Sequence, residues 1–327
     1  MQIVRLELLI AVSKPPLLHG VSCFIVRVRL GISNPKKDST MPSSQIGAQL
    51  YTLRDYTKTP ADIASTMKRV KKMGYNAVQC SALGPIDPKE LAKILSNEGL
   101  SNVATHVKID DLEKEPQRII DEHELWGCKY TAIGGFGWQG MTVEGWHDFA
   151  KEYNAVAANL GKLGLQIGYH NHSHELVKYN GQTALDLLVK ELSKSVWMEI
   201  DTYWITHGGG DPIAWVNKVA GRIPCIHLKD MSITPERKQL MAEVGEGNLN
   251  FPGILEAAKK AGTQWFIIEQ DDTNGRDPFE SLDQPEECKG DGDQLEPITF
   301  KHEATKHTKG RRRRIAFPGG YWSRPKR

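Results

Sequence analysis

The sequence lacks several features that mark specialised classes of protein. No stretch of 18 apolar residues runs without a charge, which argues against a membrane-spanning helix. The five cysteines are odd in number, scattered and never in a CxxC pair, so neither a disulfide framework nor a cysteine zinc site is indicated. The first predicted strand–helix turn has no GxGxxG to receive a dinucleotide. Reduced thiols are typical of a cytosol-like compartment, and we expect a cytoplasmic location.

A surplus of positive charge is also missing from the middle of the chain. Residues 41–282 carry 25 basic and 31 acidic residues, a net charge of about −6, whereas both flanks are basic. An enzyme that acts on nucleic acid needs a positive field on its folded surface, so no nucleic-acid partner is predicted. Hydrophobic residues make up 39% of the 327 residues, which is enough for a sizeable core.

The two flanks differ in composition from the middle. We predict that residues 1–44 are a basic extension, disordered or not native, with Met41 as a candidate start; a secretory or organelle signal fits the composition less well. Residues 283–327 are polar and basic and contain the run Arg311–Arg314. We predict a disordered tail there, the alternative being a nuclear address or a nucleic-acid tail.

Between residues 45 and 282, short apolar stretches alternate with amphipathic ones. The pattern gives eight strands, each of the first seven followed by a helix, over the length of one (β/α)8 TIM barrel. Helices are predicted over about 111–126 and, in truncated or atypical form, from 277 to 282. Strand six is predicted over 196–204. Active sites of this fold lie at the carboxyl ends of the strands.

Polar residues occupy the inward positions of strands five to eight. Side chains alternate between the two faces of a strand, and the apolar residues of these strands are expected to face the helices. The polar residues between them are therefore expected to face the barrel axis. The inward residues are His170 and His172 on strand five, Glu199 and Asp201 on strand six, His227 and Lys229 on strand seven, and Glu269 on strand eight. An unpaired acid inside a barrel is costly, and a divalent cation such as Mn²⁺, Zn²⁺, Co²⁺ or Mg²⁺ removes that cost. The alternative is a hydrogen-bonded network without metal.

Several segments resemble the xylose-isomerase-like TIM barrels, the sugar phosphate isomerase/epimerase superfamily. The resemblance covers about residues 45–282 and rests on IGAQLYTLRD, GYNAVQ, GYHNHSHE, EIDTYW, IHLKD, GEGNLNFPGILEAAKKAG and IIEQD. It implies a divalent metal, commonly Mn²⁺, held by Glu, Asp, His and Glu from strands five to eight. Asp201, His227 and Glu269 match three of these ligands. Strand five departs from the pattern, with His170 at the ligand position and Glu175 as the alternative.

The resemblance implies sugar chemistry that begins with proton abstraction next to a carbonyl. We expect a keto-sugar isomerase or epimerase that works through an enediolate, with Glu269 as the base. Glu175, His106 or Lys229 is the candidate for the second acid/base group, although an ion pair is the alternative for Lys229. Tyr51, His172 and Trp204 are candidates for binding the sugar. Oligomeric state is left open, with a homodimer as the candidate because members of the family often pair through their barrels.

Three other functions stay open. A metal-dependent lyase or dehydratase on a keto-sugar or keto-glycoside is the first alternative, because the strand-five carboxylate is replaced by His170. A phosphodiesterase resembling endonuclease IV is the second, and the acidic middle of the chain counts against it. A non-catalytic sugar-binding barrel is the third.

Overall fold

Eight parallel strands close into a barrel in the computed structural model, which describes residues 45–137 and 141–283. The strands are β1 (Ile46–Gln49), β2 (Ala77–Cys80), β3 (Ser101–His106), β4 (Tyr130–Ile133), β5 (Gln166–His170), β6 (Trp197–Asp201), β7 (Cys225–Leu228) and β8 (Trp265–Ile268). Strand β1 pairs with both β2 and β8, so the ring is complete. The predicted TIM barrel is confirmed. The predictions for residues 1–44 and for the tail beyond residue 283 lie outside the described residues.

Helices surround the barrel. They are α1 (Pro60–Lys72), α2 (Pro88–Glu98), α3 (Ile109–Lys114), α4 (Pro116–Trp126), α5 (Val143–Gly161), α6 (Ala184–Glu191), α7 (Thr202–His207), α8 (Pro212–Lys218), α9 (Phe251–Ala261) and α10 (Pro278–Ser281). The last helix is a single turn, as the sequence predicted. Its Phe279 ring packs edge-on against Tyr56, and the Tyr75 hydroxyl donates to the Leu282 carbonyl over 2.7 Å. None of the described helices is both long and apolar enough to cross a membrane.

Two predicted elements end elsewhere in the structure. The single helix expected over 111–126 is broken into α3 and α4 at Glu115, because Pro116 disfavours helical backbone in the residue before it. Strand six was expected to reach Trp204 but ends at Asp201. The Asp201 carboxylate accepts a hydrogen bond from the Trp204 N–H over 2.8 Å and so begins α7 as its N-cap.

The loop after β7 is organised by one buried carboxylate. Asp230 begins a short antiparallel pair, Asp230–Ile233 with Gln239–Ala242, and is almost fully buried. Its two oxygens accept backbone N–H groups from Met231, Gly245, Gly247 and Leu249 over 2.7–3.2 Å. A side chain at Gly247 would overlap that carboxylate, which explains why a glycine stands there. The loop is therefore fixed directly beside Lys229.

Candidate metal centre and cavity

Three ligand atoms converge at the carboxyl ends of β6, β7 and β8. Asp201 ends β6, His227 lies in β7, and Glu269 follows β8. His227 Nδ1 lies 2.7 Å from Glu269 Oε2 and 3.8 Å from Asp201 Oδ2. All three side chains are buried. The structure thus brings together the three residues that match the resemblance, which we call the rim group.

The atoms of the rim group fit a cation. Asp201 Oδ2, His227 Nδ1 and Glu269 Oε2 are buried and face one another, and within the described part of the chain their contacts are ion pairs with one another and with Lys229. Asp201 uses its other oxygen, Oδ1, for the cap of α7. Buried polar atoms are normally paired, and a mixed oxygen and nitrogen set of this kind suits a divalent transition-metal ion.

Lys229 supplies positive charge beside the rim group. Its Nζ lies 3.1 Å from Asp201 Oδ2 and 2.8 Å from Glu269 Oε2, and it donates two hydrogen bonds to Asp271 over 2.9 and 3.0 Å. Burial lowers the pKa of Lys229, but the three carboxylates outweigh it and hold that pKa well above its ordinary value. The ammonium therefore stays charged and holds these acids together in the protein alone.

A second layer of polar side chains lies beneath the rim group. Glu199 is fully buried and accepts a hydrogen bond from Gln79 Nε2 over 3.0 Å. Its other oxygen lies 2.6 Å from His106 Nε2 and 3.4 Å from His170 Nδ1. His106, His170, Glu199 and His227 form a second group with metal-ligand spacing. We call Gln79, His106 and Glu199 the lower layer.

His170 lies between the two layers. Its Nε2 is 4.0 Å from Asp201 Oδ2, while its Nδ1 faces Glu199. His170 therefore lies at the end of β5, where the sequence predicted a fourth metal ligand. Burial and the neighbouring His227 lower the pKa of His170 to about 3, so its ring is neutral and has a lone pair for a metal.

The charged groups of the two layers shift one another's pKa values. Burial raises the pKa of Glu199, but His227 and His106 outweigh it and hold that pKa well below its ordinary value. Burial lowers the pKa of His227, yet Glu199 and Glu269 raise it to about 10. Desolvation and Glu269 raise the pKa of Asp271 to about 7. In the protein without metal, the positive charges of protonated His227 and Lys229 therefore balance the buried carboxylates that a metal ion would otherwise balance.

A cavity of about 700 Å³ opens above the rim group. The three residues predicted to bind sugar, Tyr51, His172 and Trp204, all line it, together with His106 and Lys229. The rings of His172 and Trp204 lie 5.3 Å apart and form one wall. The indole Nε1 of Trp204 is buried without a hydrogen-bond partner in the described residues and is a donor for a ligand.

Glu175 lies apart from both layers. Its carboxylate accepts hydrogen bonds from the Tyr169 hydroxyl over 2.8 Å and from the His172 N–H over 2.9 Å. It belongs to neither candidate metal group and does not line the cavity. The structure therefore leaves His170 as the strand-five residue beside the rim group, and it places Glu175 as a support for the loop that carries His172.

Two residues of the site were given no role by the sequence. Glu199 was recognised as inward-facing, but the spacing of β6 did not reveal that its partners come from β2 and β3. Asp271 lies two residues after Glu269, in the loop beyond β8. The segment IIEQD contained this signal, since residues at alternate positions share a face.

The fold and the site define a class: a TIM barrel with a buried His/Asp/Glu group under a cavity at the strand ends. The sequence profile described as the xylose isomerase-like TIM barrel matches residues 67–287. The chain belongs to that family, which confirms the resemblance.

Named relatives are found at moderate identity. The chain is 29% identical over 250 residues to an inosose dehydratase of Clostridium beijerinckii, covering 63% of this chain and 82% of the relative. It is 24% identical to an inosose dehydratase of Geobacillus kaustophilus, covering 61% and 70%. A sugar phosphate isomerase/epimerase from Parabacteroides distasonis has a similar structure, with TM-score 0.62 and 22% identity over 76% of this chain and 95% of that one.

Proposed function

We propose that the protein is a divalent-metal-dependent lyase that removes water from a polyhydroxylated ketone, a keto-sugar or a keto-cyclitol. The proposal takes the dehydratase alternative in place of the isomerase or epimerase expected first. It is supported by the relatives named inosose dehydratase and by one feature of the site, the histidine on strand five.

The strand-five histidine changes which acid/base groups the site offers. An epimerase of the implied kind needs a group on each face of the substrate, and the resemblance assigns one of them to a strand-five carboxylate. Here that position holds His170, and the Glu175 carboxylate is bonded to Tyr169 and His172. Asp271, which also lines the cavity, accepts both hydrogen bonds from Lys229. Glu269, the base that the resemblance implies, lines the cavity with its Oε2 beside Lys229 and His227, and it is the carboxylate to which we assign removal of the proton.

Removal of water needs one base and one acid, and both are present. Glu269 removes the proton from the carbon next to the ketone. Lys229, whose Nζ is 2.8 Å from Glu269 Oε2, donates a proton to the hydroxyl that leaves from the next carbon as water. The electron pair of the broken C–H bond becomes the new carbon–carbon double bond. His172 and Trp204, which form one wall of the cavity, pack against the ring of the substrate.

Asp201, His227, Glu269 and His170 are the residues that would hold the metal, with Mn²⁺ preferred. When bound, such an ion polarises a ketone and stabilises the negative charge that develops on its oxygen. The positive charge of the ion would also offset the free-energy cost of burying the Asp201 and Glu269 carboxylates close together.

The test is product analysis with an inosose as the probe substrate. The Mn²⁺-loaded protein should yield a product lighter by one water that absorbs as a conjugated ketone, and chelation or Glu269→Gln should abolish it. Deuterium uptake from heavy water without loss of water would favour an epimerase instead. Neither change, with Mn²⁺ bound, would favour a non-catalytic sugar-binding barrel.

A further inference from the structure

Each histidine beside the candidate metal turns one ring nitrogen to the rim group and the other to the lower layer. His227 directs Nδ1 to Glu269 and Nε2 to Glu199 Oε1, 3.2 Å away. His170 directs Nε2 towards Asp201 and Nδ1 to Glu199 Oε2. Both rings therefore face the Glu199 carboxylate on the side away from the rim group.

The lower layer fixes which nitrogen of His227 carries a proton. A carboxylate accepts hydrogen bonds, so the amide nitrogen of Gln79 must face Glu199, as it does over 3.0 Å. The Gln79 Oε1 then faces His227 Nε2, 2.6 Å away. Both neighbours of Nε2 are acceptors, and this nitrogen must be the donor. In the neutral ring, the lone pair is consequently on Nδ1, which faces the rim group.

Glu199 also favours one tautomer of His170. Its buried Nδ1 faces Glu199 Oε2, which lies 3.4 Å away. A proton on Nδ1 is favoured by that carboxylate and leaves the lone pair on Nε2. His106 Nε2, 2.6 Å from the same oxygen, keeps Glu199 in place from the far side of the barrel.

We propose that Glu199, held by Gln79 and His106, is a positioning residue that orients His170 and His227 and selects their tautomers for metal binding. The inference rests on the proposed metal centre, but it assigns Glu199 no ligand bond. Partners of this kind, in contact with the far nitrogen of a metal-bound histidine, typically change metal affinity by about 10–100-fold when they are removed.

The test is a Mn²⁺ titration of the full chain with Glu199→Gln and a matched control, Glu175→Gln. Both variants replace a fully buried glutamate by its amide, but Glu175 contacts Tyr169 and the loop instead of the metal-side histidines. We expect Glu199→Gln to keep the ion count of the wild type and to weaken Mn²⁺ binding by about 10–100-fold. Glu175→Gln should bind Mn²⁺ as the wild type does.

A second readout separates orientation from general destabilisation. In the Co²⁺-substituted protein, Glu199→Gln should shift the visible absorption bands, which report ligand geometry, whereas a loss of stability alone leaves them in place. Gln79→Leu provides a second variant with the same expected direction, in case Glu199→Gln does not fold.

Three results would overturn the inference. Unchanged Mn²⁺ affinity and an unchanged Co²⁺ spectrum in both lower-layer variants would remove the positioning role while leaving the metal centre intact. Two ions in the wild type and one in Glu199→Gln would make Glu199 a ligand of a second ion. A wild type that binds no Mn²⁺ would overturn the metal centre and the inference together.

Discussion

The two ends of the barrel interior are made by the same strands but have opposite chemistry. At the amino end of the strands, Trp197 and Cys225 belong to a small apolar cluster. Two residues further along each strand, the inward positions hold Glu199 and His227, with Asp201 beyond them. One step of the strand repeat therefore separates a packed base from a charged site, which is the division between stability and function typical of this fold.

The apolar base is closed by large rings that fit against small residues. Trp197 and Tyr130 pack edge-to-face with ring centres 5.7 Å apart, and the Trp197 indole donates to the Gln166 carbonyl over 3.1 Å. A side chain at Gly168 would overlap the Trp197 ring. Gly168 therefore has no room for a side chain against Trp197, whereas the rim holds buried charged groups that Lys229 balances.

The largest expected effect belongs to the charged end. Asp201→Asn removes one of the three convergent atoms, and we expect Mn²⁺ affinity to fall by more than about 100-fold, beyond the loss expected for a residue that only orients a ligand. Dehydration of the probe substrate should be lost with it. Equilibrium binding and product analysis check this, and retention of both properties would remove Asp201 from the centre.

Lys229→Met should separate catalysis from metal binding. We expect turnover to fall by about 10²–10⁴-fold while Mn²⁺ is retained, because the proton donor is lost but the ligands remain. Without metal, the variant should lose about 3–5 kcal/mol in unfolding free energy, since buried carboxylates lose their cation. Chemical denaturation with and without Mn²⁺ measures this. If Lys229→Met and the wild type had equal unfolding free energies without Mn²⁺, Lys229 would not balance the rim charges.

Gly168→Ala tests the apolar end in isolation. The added methyl group meets the Trp197 ring, and overpacking of this kind costs about 1–3 kcal/mol. The folded variant should still bind Mn²⁺ in the wild-type amount. Gly161→Ala, at the end of α5 with open space around the new methyl group, is the control and should not destabilise. A loss of metal in Gly168→Ala would show that the two ends are coupled.

The smallest expected effect concerns a buried histidine outside both layers. Burial lowers the pKa of His123 from 6.5 to about 4, so between these values the unfolded chain binds a proton that the folded protein does not. Unfolding free energy should therefore fall as the pH is lowered through this window, by as much as about 3 kcal/mol. Denaturation at several pH values should show a shallower slope for His123→Asn.

The sequence predicted the barrel and the rim group but not the lower layer. Alternation along β6, β7 and β8 is local, and it correctly placed Asp201, His227 and Glu269 at one height. The bonds of Glu199 join residues 120 and 93 positions apart, to Gln79 and His106, and cross the barrel interior. No local period encodes such contacts. The early end of β6 was also missed, because the apolar alternation continues past Asp201 although its side chain already caps α7.

The most direct test of the metal centre is the metal content of the full chain after Mn²⁺ loading and desalting, measured beside Asp201→Asn. A metal centre of this kind should hold about one ion per wild-type chain, as expected for a single site built from mixed oxygen and nitrogen ligands, and none in the variant. An equally metal-free wild type would contradict it and would make the rim group a network balanced by Lys229 and His227 alone.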